Sequence, residues 1–185
     1  MDKIAFIGGG NMASAMVGEI IGSGWERSWI TIVDRNAEKR EHFASELGVH
    51  ATSNMASAAV ADTIVLAVKP QATAAVAKQM DFDLSGKLIL SIAAGLTTAK
   101  LESLLGPVAI ARAMPNTPAQ LGLGATGLFV NGYATEAQFS ASKAVVEAFG
   151  ICITVKHEDL LDAVTAVSGS STRTWGAALH VPRRC

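Results

Sequence analysis

Residues 3–13 read Lys3-Ile4-Ala5-Phe6-Ile7-Gly8-Gly9-Gly10-Asn11-Met12-Ala13. Ile4, Ala5, Phe6 and Ile7 form a short apolar run rich in strand formers, and it stops abruptly at the glycines. Beyond them, Met12, Ala13, Met16, Val17, Ile20 and Ile21 recur at the spacing of one apolar helix face. A second apolar run, Ile30-Thr31-Ile32-Val33, then ends at Asp34. The stretch predicts strand, glycine turn, helix and strand, with the turn in the form G-x-G-x-x-A.

That geometry carries a chemistry. Gly8 permits the tight turn out of the strand, and Gly10 lets backbone approach a pyrophosphate with no Cβ in the way. Ala13 is small enough for the helix to pack close to the sheet. The helix start offers unpaired N–H groups and a positive dipole end to phosphates. Asp34, 21 positions after Ala13, stands where a carboxylate takes the ribose hydroxyls of a dinucleotide. A glycine turn also serves ordinary strand-to-helix corners; its place between strand and helix, with an acid at this distance, points to dinucleotide binding. Arg35 and Asn36 leave the cofactor open. The carboxylate suggests NAD, whereas a neighbouring arginine can meet the 2′-phosphate of NADP.

The bulk composition removes other classes. Half of the 185 residues are hydrophobic and 17% are charged, a globular composition. A net charge of −1 gives no electrostatic case for nucleic acid or an anionic membrane. The longest uncharged stretch, 113–135, is interrupted by Pro115, Pro118 and several glycines, so no membrane span is expected. The apolar segment at the start is too short for a secretory signal. Cys152 and Cys185 make neither a disulfide framework nor a metal spacing, and a cytoplasmic protein without a metal is expected. His42, His50, His157 and His180 are scattered and read as surface or satisfied histidines.

Along the rest of the chain, strands and helices alternate. Residues 37–47 read as a helix stopped by Gly48, and Trp25 and Trp29 are expected to pack at the edge of the second strand. Thr52-Ser53-Asn54 precedes the alanine-rich 56–61 as a helix cap. Residues 63–68 form a near-continuous apolar run, the mark of a strand buried on both faces. Lys69-Pro70-Gln71 follows at its carboxyl end, where open parallel sheets bind ligands, although Lys69 reads equally as an exposed turn lysine. A helix over 71–80, a strand over 87–92, a helix over 97–105 and a strand over 108–113 come next. Ala93-Ala94-Gly95 places small residues at another strand end. Pro115 and Pro118 stiffen the loop that holds Asn116 and Thr117. A strand over 125–130, a helix over 135–149 and a strand over 151–155 complete the pattern. Such alternation predicts an α/β fold: a Rossmann-type doubly wound, mostly parallel sheet with helices on both faces.

Five segments carry a family resemblance. IAFIGGGNM (4–12), AVKP (67–70), SIAAG (91–95), RAMPNTPA (112–119) and DAVTAVSGS (162–170) stand in the order and spacing of pyrroline-5-carboxylate reductases. The resemblance implies the last step of proline synthesis, with a hydride moving from NADPH or NADH to the imine carbon of 1-pyrroline-5-carboxylate. NADP(H) is expected ahead of NAD(H). It places Gly8, Gly10, Asn11, Met12 and Ala13 on the pyrophosphate, and Asp34, Arg35 and Asn36 near the adenosine ribose. Asn54, Ala67, Val68, Lys69, Pro70, Ala93, Met114, Pro115 and Asn116 line the rest of the cofactor cleft, Asn54 also being a helix cap. Ser168, Gly169 and Ser170 are the substrate-side candidates. The protein's task is then positional, because the cofactor carries the chemistry and no Ser/His/Asp or paired-carboxylate arrangement is needed.

After Ser170 the sequence departs from the family. The family continues through Pro-Ala-Tyr into a helical, homo-oligomeric dimerisation domain, whereas this chain reads Ser171-Thr172-Arg173-Thr174-Trp175-Gly176 and stops at Cys185. The expected organisation is a dinucleotide-binding domain over 1–158, the start of the helical domain over 159–170, and a divergent tail over 171–185. The chain alone is expected to be weakly active or inactive. An apolar stripe of Leu160, Leu161, Val164 and Val167 is expected to favour self-association. Two alternatives stand beside this reading: a related hydroxyacid-type reductase, and a non-catalytic NAD(P)-binding module or truncated pseudoenzyme.

Overall fold

The computed structural model describes residues 3–115 and 124–161. The chain opens as read from the sequence: β1 (Ile4–Ile7), α1 (Asn11–Gly22) and β2 (Ile30–Val33). It continues through α2 (Ala37–Ser45), β3 (His50–Thr52), β4 (Thr63–Leu66), α3 (Pro70–Ala77), β5 (Leu88–Ser91) and α4 (Thr98–Leu105). The last described elements are β6 (Ala109–Pro115), β7 (Gly124–Val130), α5 (Glu136–Glu147) and β8 (Gly150–Thr154).

All eight strands join one sheet in the order β3-β2-β1-β4-β5-β6-β7-β8. The first six are parallel and follow the order of a dinucleotide-binding fold. β7 then runs antiparallel to β6, and β8 parallel to β7. The Rossmann-type, mostly parallel sheet expected from the alternation is therefore the fold. Three features were not expected from the sequence. The three-residue β3 is too short to show periodicity. The segment after Asn54 winds as a 3-10 helix over Met55–Val60. The reversed direction of β7 is set by pairing rather than by its own residues.

The central strands are buried on both faces, as their unbroken apolar runs require. Odd and even positions serve opposite sides of the sheet. Phe6, Ile32, Val65 and Leu90 pack with Met16 and Ile20 of α1, Phe43 of α2 and Val145 of α5. Ile7, Ile64, Leu66, Ile89 and Ile110 pack with Leu101 of α4 and Ala58 on the other side. Trp25 packs against the first of these clusters. Local signals fix the helix starts. Asn36 accepts from the Lys39 amide at α2, Thr97 from Lys100 at α4, and Thr135 and Gln138 form a reciprocal capping box at α5. No helix among the described residues is long and apolar enough to cross a membrane. Most of 159–170 and all of 171–185 lie outside the described residues, as does Asn116.

Candidate functional site

Because β1 to β6 are parallel neighbours, their carboxyl ends share one edge of the sheet. Gly8, Asp34, Ala67, Ala93 and Pro115 sit at or just past the ends of β1, β2, β4, β5 and β6. Residues read separately along the sequence thus meet on one rim. At its middle the strand order reverses: the chain leaves β1 toward β2 and enters β4 on the other side, opening a crevice.

Gly8 stands at that crevice with φ +101°, which side chains rarely adopt. A Cβ there would lie 2.7 Å from the Ala67 carbonyl oxygen and 2.8 Å from Val68 Cγ1. The position therefore needs glycine both for its turn and for the close approach of the β4 end. Gly10 is different. Its backbone is ordinary extended chain, and a Cβ would meet nothing within 4 Å. Gly10 is the residue before α1, no side chain caps that helix, and its first turn holds no acid. The leading amides of α1 have no intrahelical acceptor, so this corner combines open space with unsatisfied donors. Those are the properties a diphosphate needs, and Gly8, Gly10, Asn11, Met12 and Ala13 lie together around it.

Asp34 does more than the sequence indicated. Its Oδ2 accepts the Gly9 amide at 2.7 Å, and its Oδ1 accepts the Asn36 amide at 2.8 Å. Lys39 Nζ lies 3.7 Å from Oδ2, and the side chain is only 13% exposed. The carboxylate is thus a strut between the glycine turn and the start of α2, with lone pairs remaining for a ribose hydroxyl. Arg40 Nη1 donates to the carbonyl oxygens of Asp34 and Arg35 and holds the same loop. Arg35 itself is exposed. Gly9, the variable position of G-x-G, proves constrained as well: a Cβ would come within 2.9 Å of Phe43 Cε2 and 3.4 Å of Asp34 Oδ2. Phe43 sits buried on α2, so this constraint comes from packing and not from the residues around Gly9.

The remaining candidates divide. Asn54 caps the 3-10 helix through the Ala56 amide. Lys69 is exposed and immediately precedes α3, with Pro70 at the first helical position. Ala93 is buried and donates its amide to Ser91 Oγ at 3.3 Å. Met114 and Pro115 are half-buried at the end of β6, facing Gly127 and Thr126 of β7. Asn116, Ser168, Gly169 and Ser170 lie outside the described residues.

A groove of about 650 Å³ runs from Gly9, Gly10 and Asn11 between α1 and α2. Ser14 Oγ and His42 Nε2 meet across it at 2.9 Å, and His42 Nδ1 lies 3.1 Å from Glu46. His42 is therefore a satisfied histidine that ties two helices together. Burial, followed by the charge of Glu147, pushes the Cys152 thiol up to about 11, so it stays protonated and unreactive at neutral pH. Among the described residues no cluster of His, Cys, Asp and Glu is placed to hold a metal.

Comparison with known proteins agrees with this geometry. Residues 3–95 match the protein family described as NADP oxidoreductase coenzyme F420-dependent. The chain is 43% identical over 171 residues to the pyrroline-5-carboxylate reductase of Pseudomonas aeruginosa, covering 91% of this chain and 63% of that protein. It is 42% identical over 170 residues to that of Haemophilus influenzae, with the same coverage. Its fold superposes on a pyrroline-5-carboxylate reductase from Coxiella burnetii with a TM-score of 0.88 and 38% identity, over 92% of this chain and 64% of the other. A Plasmodium falciparum pyrroline carboxylate reductase with NADP bound gives a TM-score of 0.80 at 27% identity, over 90% and 62%. The chain thus spans about 63% of the length of the curated relatives it matches.

Proposed function

The chain belongs to the family described as NADP oxidoreductase coenzyme F420-dependent, and from that premise we propose that it is the cofactor-holding part of a pyrroline-5-carboxylate reductase. The reaction is reduction of 1-pyrroline-5-carboxylate to proline at the expense of NADPH, with NADH as the lesser donor. The observation that carries this reading is the uncapped start of α1 beside the open space at Gly10, a corner fitted to a diphosphate.

In this reading the nicotinamide nucleotide, when bound, supplies the hydride. The chain's own residues do the placing. The first-turn amides of α1 hold the diphosphate, and the Asp34 strut keeps the Gly8–Gly10 turn in shape before a ligand arrives. Arg35, exposed beside the ribose position, supplies a fixed positive charge for a 2′-phosphate. Ala67, Val68, Lys69 and Pro70 close the other wall of the crevice. Ala93 and Met114 present small and flexible apolar surfaces at the ends of β5 and β6, where a flat ring can lie and water is kept away. The NADP named with the Plasmodium relative supports the choice of phosphorylated cofactor. A cytoplasmic location and a homo-oligomeric state belong to the same reading, as does the division into 1–158, 159–170 and 171–185.

The test is oxidation of NADPH by the purified chain on addition of pyrroline-5-carboxylate, with proline identified as product. Stoichiometric proline supports the full reading. NADPH binding with no proline under any condition would favour the NAD(P)-binding module instead.

A further inference from the structure

Three donors converge on one carboxylate beyond the last strand. Glu158 Oε1 accepts from Arg112 Nη1 at 2.6 Å and from the Thr98 amide at 2.7 Å, while Oε2 accepts from Thr98 Oγ1 at 2.8 Å. Arg112 belongs to β6, and its side chain is 6% exposed; that of Glu158 is 21% exposed. Thr98 is the first residue of α4. The chain reaches this point from β8, the edge strand two places from β6. It must therefore fold back over β7 onto the α4 side of the sheet. The carboxylate also gives α4 the anion its N-terminus favours.

The place of this contact matters more than its strength. Arg112 pairs in register with Ser91, the last residue of β5, and Met114 is the next residue on the same face of β6. Ala93 hangs from Ser91 through its own amide. The cluster thus ties β6, whose end carries Met114, to the start of α4, the helix that the chain enters from β5 and Ala93. We propose that Glu158 is a positioning residue for hydride transfer: by pairing Arg112 and holding Thr98 it fixes the ledge on which the nicotinamide ring of NAD(P)H rests. The proposal rests on the cofactor reading above. Without the carboxylate, a buried guanidinium and the Thr98 amide lose their partner together, and β6 and the segment joining β5 to α4 must shift to rehydrate them. The adenosine side is insulated from that shift. β6 stands three strands from β1, about 14 Å at roughly 4.8 Å per strand.

The prediction separates ring placement from affinity and from stability. NADPH is titrated into the unaltered chain, Glu158→Ala and Glu158→Gln, well below each thermal midpoint, following both Kd and the nicotinamide fluorescence of the bound cofactor. The unaltered chain is expected to enhance that emission. Glu158→Ala should lose at least half of the enhancement while Kd changes by less than about twofold, as for sites with no shared partner. Glu158→Gln still accepts from Thr98 and should fall between them. A purely structural clamp would lower the melting temperature and leave the emission per bound NADPH intact. Full enhancement in Glu158→Ala, or binding without enhancement in the unaltered chain, overturns the proposal and leaves the cofactor assignment standing. Absence of NADPH binding altogether defeats both.

Discussion

The Gly9 amide donates to Asp34 Oδ2 at 2.7 Å, across 25 residues of chain. One carboxylate therefore shapes the glycine turn ahead of α1, besides standing where the proposed reading puts the ribose. The bond joins the end of β2 to the loop after β1 and fixes that loop without a ligand. Preorganisation of this kind lowers the entropy that binding must overcome.

It follows that Asp34→Ala weakens NADPH and NADH together. Loss of a charge-assisted hydrogen bond at a partly buried site costs about 1–2 kcal/mol, roughly tenfold in Kd. A residue serving only the ribose would behave otherwise, since its removal should relieve repulsion of the 2′-phosphate and improve NADPH. Isothermal titration of both cofactors distinguishes the two, and a variant that binds NADPH more tightly would refute the strut.

Gly8 and Gly10 should fail in opposite ways. Gly8→Ala places a methyl group 2.7 Å from backbone at a left-handed φ, so it should destabilise the fold by several kcal/mol, about 3 or more. Gly10→Ala adds a methyl group to open space and should leave the melting temperature nearly unchanged. Its cofactor affinity should nevertheless fall by about tenfold or more, because the methyl group occupies the ligand's approach. Thermal denaturation and cofactor titration of the pair test both halves.

Arg35→Ala should act on one cofactor. Its side chain is exposed, so stability is expected to move by less than about 0.5 kcal/mol. NADPH should lose roughly tenfold in affinity and NADH less than twofold, as removal of a single phosphate contact would give. Equal losses for both cofactors would remove Arg35 from the 2′-phosphate site.

Acid should weaken the Glu158 cluster. Burial pushes the carboxyl up, but the hydrogen bonds from Arg112 and Thr98, with the guanidinium charge, outweigh it and hold the group below the usual 4.5. The unfolded chain then takes up the proton more readily than the folded one. The contribution is complete above pH 4.5 and is lost as the pH falls through the lower folded-state value. Melting temperatures of the unaltered chain and Glu158→Gln, compared from neutral pH downward, should differ most at neutral pH and converge in acid. A constant difference would mean that the carboxylate's charge contributes nothing.

What the sequence revealed was local. The strand, glycine turn, helix and acid of residues 4–34 follow from periodicity and spacing, and so did the buried runs that became β4 and β5. The cap at Asn54 was legible for the same reason, since it acts within two residues, whereas those at Asn36 and Thr135 emerged only in the structure. Contacts between distant residues left no trace. Nothing near Gly9 reports that Phe43 lies behind it, and Arg112 and Glu158 are 46 residues apart. His42 read as a surface or satisfied histidine, and its partner Ser14 depends on how α1 and α2 lie against one another. The order of strands, which assembles the candidates on a single rim, is likewise a property of pairing.

Cofactor binding as proposed depends on the glycine corner at the start of α1, and titration of NADPH into the unaltered chain and into Gly10→Ala, side by side, is its sharpest test. Saturable one-to-one binding by the first, strongly weakened in the second with an unchanged melting temperature, is the predicted result. No binding by the unaltered chain at millimolar NADPH, or equal binding by both, would contradict it.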